Sequence, residues 1–356
     1  MSEKVNQAGS LLLNAAAVVI VIAGLRAATS LILPILLAGF LAILSSPLQR
    51  WFRRRGIGVA ISVLLTVLAV FALLAVFALM FSAAVAEAGA AAPQYLEQLQ
   101  QRALETRDRL RESSLADYVS LDQLDPASLV ELITSTFGGL VRGTVVGVAT
   151  VFSWAILILL VTVFMLVESS GFLDKLRLAT RGYKNVDLGQ FRQITRELQH
   201  YLGIKTLVSL ATGLAIFALT WAVGLDFPLF WGLSAFLLNY IPTLGSIIAG
   251  VPATILAGIQ HGLGMAGLVA FGYLAVNIIL GSMIEPRWMG LHFRLSTLVV
   301  FLSVLFWGFV WGPLGMLLSV PLTRSLVIVI ENTTENQWLP VLLGRNPRPG
   351  DKSAAS

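Results

Sequence analysis

The sequence predicts an all-α integral membrane protein with about six spanning helices, two re-entrant helical hairpins and an amphipathic helical segment outside the membrane. Of its 356 residues, 57% are hydrophobic and 12% charged, and the mean hydropathy is +0.84. Such a chain has more apolar surface than one water-soluble core can bury. Six charge-free runs are long enough to cross a bilayer. Two further charge-free stretches, Phe227–Gln260 and Leu295–Thr323, are interrupted by Pro and Gly.

The predicted spans are runs without Asp, Glu, Lys or Arg that reach the roughly 18 to 20 residues a spanning helix needs. The third run is about 46 Å long at a rise of about 1.5 Å per residue. It exceeds the about 30 Å of hydrocarbon in a bilayer, so we expect it to protrude. The six runs are Val5–Leu25, Ala27–Gln49, Gly56–Ala86, Gly143–Val167, Thr206–Leu225 and Gly262–Ile284.

Charge and cysteine content exclude several classes of protein. The net charge is +5, but the basic residues lie in short loops beside apolar runs, which orients a membrane protein and indicates no nucleic-acid partner. The chain has no cysteine, so disulfides and thiolate metal sites are excluded. Arg26 and a second apolar run follow the first run at once, which favours a retained anchor over a secretory signal.

Loop charges predict the orientation through the positive-inside rule. The arginine cluster in residues 50–55 places that loop in the cytoplasm. Glu87–Arg142, with nine acidic and five basic residues, is then periplasmic, and Glu168–Lys205, with four acidic and seven basic residues, is cytoplasmic. Both termini are predicted to be cytoplasmic.

The periplasmic segment contains a predicted amphipathic helix, because apolar residues recur among its charges at near-heptad spacing. Such a helix contacts another subunit, or it lies on its own protein or on lipid headgroups. The sequence does not distinguish these roles. The apolar positions are Leu96, Leu99, Ala103 and Leu110.

Charge parity predicts that each interrupted stretch folds back as a hairpin. If both crossed the membrane once, the loop Glu285–Arg294 with its two arginines would lie outside, against the positive-inside rule. As hairpins, the first tip (residues 242–245) enters from outside and the second (residues 312–315) from inside, and we expect the tips to meet near the midplane. Paired breaks within hydrocarbon are tolerated where they line a polar cavity, which is typical of transporters.

These assignments divide the chain into five segments. They are the N-terminal transmembrane helices (1–86), the periplasmic segment (87–142), the fourth helix with a basic linker (143–205), a transport core (206–331) with hairpins at 227–260 and 295–330, and a cytoplasmic tail (332–356).

Several short motifs support a family resemblance. They are Pro93-Gln94-Tyr95, His200-Tyr201, Asn239-Tyr240-Ile241-Pro242, Glu285-Pro286-Arg287, and a block running from Leu295 through Phe306-Trp307-Gly308 and Gly312-Pro313 to Val320-Pro321. With these motifs the chain resembles the autoinducer-2 exporter family of bacterial inner-membrane proteins over nearly its whole length. It is similar to the branch credited with exporting autoinducer-2, whereas other relatives are linked to other solutes or to cation/proton exchange. The resemblance implies a role in quorum sensing, a homopentamer, and an elevator-type movement of the two hairpins.

Polar groups and freed backbone at the two breaks are candidate contacts for an uncharged polyhydroxylated solute, since half-helix ends add partial charge there. The same groups can instead cap the broken helices, and both roles can coexist. We expect the Pro and Gly residues to shape the breaks. The candidates are Asn239, Tyr240, Pro242, Thr243, Gly245 and Ser246 at the first tip, and Gly312, Pro313, Gly315 and Ser319 at the second.

The spans add further polar candidates. Thr206, Ser209 and Thr212 share one face of the fifth predicted span, and Asn277 and Ser282 lie in the last. They either line a pathway or form hydrogen bonds between helices or to carbonyls, and for Ser and Thr the hydrogen-bonding role is favoured.

Aromatic and charged residues near the breaks complete the candidate site. Trp307 and Trp311 either stack on a sugar-like ring or pack within the protein. Glu285 ends the longest charge-free region and is a candidate for ion or proton coupling, with Arg287 beside it. Its position at the membrane border favours a simple pair with Arg287. The histidines share no helical spacing, so no zinc site or other cofactor is predicted.

Other functional classes are less well supported. The chain has no Gly-x-x-x-x-Gly-Lys-Ser/Thr phosphate loop, which argues against an ATP-driven pump, while a channel-like facilitator stays open. Gly232-Leu-Ser234-Ala hints at an intramembrane serine protease but lacks the second Gly and a His partner, so we expect no enzymatic activity. The predicted partners are a small polar solute, autoinducer-2 by resemblance, the lipid bilayer and further copies of the chain.

Overall fold

The computed structural model of the protein describes residues 2–111, 146, 150, 153–168, 188–242, 244–289 and 295–333. The regular elements in these ranges are all helical. In chain order they are α1 (Ser2–Ala27), α2 (Thr29–Arg54), α3 (Val59–Arg111), α4 (Ala155–Glu168), α5 (Leu188–Ala222), α6 (Pro228–Leu238), α7 (Leu244–His261), α8 (Leu263–Val276), a π-helical segment (Asn277–Ile284), α9 (Glu285–Met289) and α10 (Thr297–Thr333).

The predicted all-α membrane fold is confirmed. Within the described ranges, four predicted spans overlap helices long and apolar enough to cross a membrane, and the other two, 5–25 and 143–167, overlap α1 and α4. The other two helices of spanning length, Leu244–His261 and Thr297–Val329, lie in the predicted hairpins. The first is one arm of its hairpin, and the second contains the break at Gly312. The six helices of spanning length are Thr29–Arg54, Val59–Ala91, Gln193–Ala222, Leu244–His261, Leu263–Met289 and Thr297–Val329.

Helix α3 joins two segments that the sequence analysis separated. Its 53 residues extend about 80 Å at about 1.5 Å per residue, far beyond the about 30 Å of hydrocarbon. The third predicted span therefore continues into the helix predicted between Leu96 and Leu110, which confirms the helical prediction. The side chains that define the amphipathic face lie outside the described set.

The first hairpin consists of α6 and α7, with a tight turn at residues 239–242 between them. Pro228 occupies the start of α6, where its missing N–H is tolerated. Gly245 lies so close to the end of α6 that a Cβ atom there would be 1.7 Å from the carbonyl oxygen of Leu238. The fold-back therefore requires glycine at this position.

The second hairpin lies within α10, whose helical course is broken at Gly312 with φ 66° and ψ −149°. The indole nitrogen of Trp307 donates a hydrogen bond to the hydroxyl of Thr323 at 3.0 Å. These residues are 16 positions apart and would be about 24 Å apart along a straight helix. The chain therefore reverses at Gly312, as the Pro and Gly pattern predicts.

The chain forms two compact units. Unit A comprises residues 1–71, 153–202 and 291–356, and unit B comprises residues 72–152 and 203–290. The second hairpin belongs to unit A, whose core includes Leu33, Trp311 and Leu318. The first hairpin belongs to unit B, whose core includes Trp231 and Val269.

Candidate functional site

The tip of the first hairpin is hydrogen-bonded to α5. The Asn239 side-chain amide donates to the Ser209 hydroxyl at 3.0 Å, and the Tyr240 hydroxyl donates to the Thr206 hydroxyl at 2.7 Å. Thr206 and Ser209 face the tip together because they are three residues apart on one helix. The structure thus brings four predicted site residues together and uses Thr206 and Ser209 for contacts between elements, which is the favoured interpretation from the sequence.

A small cavity lies within unit B beside this tip. Polar side chains from α5, the hairpin and the helical segments after it contribute to its lining, and the described lining includes no charged side chain. The cavity has room for about one water molecule. The lining residues are Thr212, Asn239, Ser246 and Asn277, with Ile216, Ala235, Ala249, Tyr273 and Val276. Such a lining suits an uncharged group that forms hydrogen bonds.

Asn277 occupies a special backbone position. It is the first residue of the π-helical segment that ends at Ile284, and short π-helical segments occur frequently at functional sites. Its side-chain oxygen lies beside Gly281, where a Cβ atom would be 3.2 Å away. Ser282, also in this segment, is exposed. Asn277 thus lines the cavity where α8 continues into the π-helical segment, an irregularity that no residue pattern predicted.

The two tryptophans of the second hairpin are packed inside unit A. Trp307 and Trp311 are 6% and 7% exposed, and their rings stack with centroids 4.8 Å apart. The indole nitrogens donate to the Thr323 hydroxyl at 3.0 Å and to the Leu25 carbonyl oxygen at 3.1 Å. The structure therefore favours the packing role of these residues over stacking on a solute.

Ser319, also proposed for the second tip, is turned toward its own helix. It is fully buried, and its hydroxyl donates to the Met316 carbonyl oxygen at 2.7 Å. This bond to the preceding turn is the ordinary behaviour of serine within a helix. Trp307, Trp311 and Ser319 thus each donate a side-chain hydrogen bond to another group of the protein.

Glu285 pairs with Lys205 and not with Arg287, which corrects the pairing favoured from the sequence. The Lys205 ammonium lies 2.8 and 3.0 Å from the two carboxylate oxygens of Glu285. Lys205 is only 3% exposed, whereas Arg287 is exposed. Residues two apart on a helix do not face each other, so Arg287 is poorly placed for the carboxylate. A buried ion pair in an apolar region remains a candidate functional element.

A hydrogen-bond network ties α3 to both ends of the first hairpin. The Tyr95 hydroxyl donates to the Asp226 carboxylate and accepts from the Gln260 amide at 2.9 Å. The Gln260 side-chain oxygen in turn accepts from the Asp226 backbone N–H at 3.2 Å. Burial, and then the hydrogen bond to Asp226, raise the pKa of Tyr95. Tyr95 and Gln260 therefore bind Asp226 just before the first hairpin begins.

Ser234, which suggested a protease, is buried within α6. It is 5% exposed, and its hydroxyl has no hydrogen-bond partner among the described residues. A serine nucleophile needs a base within hydrogen-bond reach. The part of the chain that the structure describes supplies none, so this alternative loses its support.

Two residues of the site were missed in the sequence. Lys205 was counted as a loop charge, although α5 begins at Leu188 and carries Lys205 inside a long helix. Tyr273 is not among the candidates from the sequence, although it precedes Asn277 by four residues and so shares its helix face. That spacing was the available signal for Tyr273.

Comparisons with known proteins match most of the chain to one family of transporters. A family model described as AI-2E family transporter matches residues 15–335, which include both hairpins. The AI-2 transport protein TqsA of Escherichia coli is 36% identical over 334 residues, or 91% of this chain and 92% of TqsA. A putative transport protein of Haemophilus influenzae is 34% identical over 343 residues (94% and 95%). The putative transport protein YhhT of Escherichia coli is 33% identical over 336 residues (94% of each).

Proposed function

This chain belongs to the AI-2E transporter family, and from that premise we propose that it exports a small uncharged polar signal, autoinducer-2. It is a multi-pass membrane protein of a transporter family. The observation that carries the substrate proposal is the cavity at the first hairpin, where polar uncharged side chains converge within a largely apolar unit. A relative of 36% identity is named for transport of AI-2, which supports the same substrate.

The lining chemistry supports an uncharged hydroxylated solute. Asn239 and Asn277 each offer a donor and an acceptor, and Thr212 and Ser246 each offer a hydroxyl. An ionic solute would lack a counter-charge among the described lining residues, and leaving a charge unpaired in a low-dielectric site is costly. These side chains, with Thr206, Ser209 and Tyr240 behind them, form the proposed substrate site.

The transport mechanism we propose is an elevator-type movement of the two hairpins in a homopentamer of the bacterial inner membrane, with both termini in the cytoplasm. The cavity admits about one water molecule, so a larger solute requires the hairpin to move. The breaks at Gly245 and Gly312 supply a discontinuous helix in each stretch, the usual form of transporter binding sites.

A second candidate function is cation or proton exchange, or passive facilitated diffusion. The buried Lys205–Glu285 pair favours exchange, because charged groups in apolar segments commonly couple ions to transport. Its coupling role and that of Arg287 remain part of the proposal.

The decisive experiment is uptake of labelled autoinducer-2 into inside-out membrane vesicles. We expect saturable uptake by vesicles that contain the protein, and none by vesicles that lack it. An imposed proton or sodium gradient that changes the rate would support coupled transport, and an unchanged rate would support facilitated diffusion. Absence of saturable uptake would contradict the proposed substrate.

The topology can be tested separately because the chain has no cysteine. We expect Thr243→Cys to react with a membrane-impermeant thiol reagent added outside and Leu314→Cys with reagent added inside. Labelling of both positions from the same side would contradict opposite entry of the two tips.

A further inference from the structure

Tyr273 on α8 carries a polar group that has no evident use among the described residues. The residue is 7% exposed, and its hydroxyl is buried without a hydrogen-bond partner among the described residues. Burying a hydroxyl with no partner is unfavourable, and native structures satisfy the large majority of such groups. A retained hydroxyl of this kind therefore needs an explanation.

The position of Tyr273 supplies one. The residue lines the cavity with Asn239, Ser246 and Asn277, and Asn277 follows it by one helical turn. Its ring lies against Gly250 on α7, where a Cβ atom would be 3.1 Å from the ring carbon Cδ1. The first hairpin thus leaves room for this ring by having a glycine opposite it.

We propose that Tyr273 is a specificity-determining residue whose hydroxyl hydrogen-bonds a hydroxyl-bearing, uncharged solute in this cavity. The inference rests on the proposed function and deepens it, since it selects for hydroxylated solutes over apolar ones of the same size. A site whose polar group is left unpaired by the wrong solute discriminates strongly against that solute. Phenylalanine at this position would keep the ring and lose the discrimination.

The chain offers a matched control in Ser234. Its hydroxyl is also buried without a partner among the described residues, but it is absent from the cavity lining. Tyr273→Phe and Ser234→Ala therefore each remove one such hydroxyl, and only the former removes it from the proposed site. Neither variant is expected to lower the thermal midpoint without solute, because each loses an unsatisfied buried group.

The test is thermal unfolding of the purified full-length protein at increasing concentrations of autoinducer-2, ribose or glycerol. A ligand that binds the folded state raises the midpoint. We expect autoinducer-2 to stabilise the wild type and Ser234→Ala equally. Tyr273→Phe should need about 3- to 10-fold more solute for the same shift, the loss expected for one neutral hydrogen bond. In vesicles its half-saturating concentration should rise by the same factor, with an unchanged maximal rate.

The outcomes separate the two proposals. If Tyr273→Phe responds to autoinducer-2 as the wild type does, the role of Tyr273 is overturned and the proposed function stands. If ribose or glycerol stabilises the wild type in place of autoinducer-2, and this depends on Tyr273, the substrate is wrong and the role of Tyr273 is supported. If none of the three stabilises the wild type, the role of Tyr273 is overturned.

Discussion

The two hairpins share a backbone device and differ in the chemistry of their tips. In each, a glycine after the break lies against a carbonyl group of the preceding arm. A Cβ atom at Gly245 would be 1.7 Å from the Leu238 oxygen, and one at Gly315 would be 2.0 Å from the Trp307 oxygen. The tight reversal is thus built in the same way twice.

The side chains around the two reversals serve different ends. Asn239 at the first tip reaches across to α5 and borders a cavity. Trp307 and Trp311 in the second hairpin stack on each other and donate both indole N–H groups to the protein. The comparison teaches that folding back requires glycine at a fixed place, whereas solute contact depends on separate polar residues that the first tip has.

The largest expected effect tests the close contact between a glycine and a backbone carbonyl that both hairpins share. Gly245→Leu and Gly315→Leu should each destabilise the protein by about 3 kcal/mol or more, because the added atoms collide with a backbone carbonyl that cannot move aside. We expect little protein in the membrane fraction and a lowered thermal midpoint. Gly267→Ala is the control, since a Cβ atom there has no neighbour within 4 Å. Wild-type yield for either leucine variant would break the comparison.

The next effect concerns the buried ion pair in each unit, Lys205–Glu285 at 2.8 Å in unit B and Arg324–Glu197 at 2.9 Å in unit A. Lys205→Met and Arg324→Met should each cost about 3 kcal/mol, because each removes the cationic partner of a carboxylate that is 14% exposed in Glu285 and 13% in Glu197. We expect the gradient dependence of vesicle uptake to change in Glu285→Gln and to persist in Glu197→Gln. An equal change of gradient dependence in Glu285→Gln and Glu197→Gln would remove the coupling role from the Lys205–Glu285 pair.

The sequence was sufficient for the fold because the signals are strong and local. Long charge-free runs predict helices that span, and the Pro and Gly residues of each interrupted stretch predict the reversal that Gly245 and Gly312 confirm. The continuity of α3 was not predictable, because the run of charges after Ala86 marks where the membrane ends and not where the helix ends.

The candidate site was predictable from the sequence only in part. Asn239 and Asn277 stand out as amides in apolar runs, and both line the cavity. Tyr273 and Lys205 do not stand out, because aromatic residues are common in spans and a lysine at a span boundary is typical of a loop. Their roles depend on which residues the fold places opposite them. The π-helical segment that begins at Asn277 likewise has no residue signature.

A smaller effect distinguishes the two tips directly. Asn239→Ala leaves the buried Ser209 hydroxyl without its partner, which should cost about 1 to 3 kcal/mol, and it removes an amide from the cavity. Trp307→Phe loses the bond to Thr323 at a similar cost while keeping a ring against Trp311. We expect uptake per folded molecule to fall about tenfold or more in Asn239→Ala and to stay within about twofold in Trp307→Phe. Equal losses would show that both tips contact solute.

The smallest effect concerns two hydrogen bonds, called ties below, that connect the hairpins to neighbouring helices. Tyr95 links α3 to Asp226 before the first hairpin, and Trp311 links the second hairpin to the Leu25 carbonyl of α1. Tyr95→Phe should destabilise the protein by less than about 1 kcal/mol near neutral pH, because the network is largely exposed. Thermal midpoints of the wild type, Tyr95→Phe and Trp311→Phe across a pH series measure both ties.

The two ties should differ in their response to pH. The pKa of Tyr95 is raised, first by burial and then by the hydrogen bond to Asp226. Its contribution to stability is therefore complete below the ordinary tyrosine value of about 10 and is lost as the pH rises through the folded-state value. The deficit of Tyr95→Phe should thus vanish above that pH. The deficit of Trp311→Phe should not change, because an indole N–H and a carbonyl do not titrate in this range. A deficit of Tyr95→Phe that is constant with pH would mean that its hydroxyl contributes nothing as a donor to Asp226.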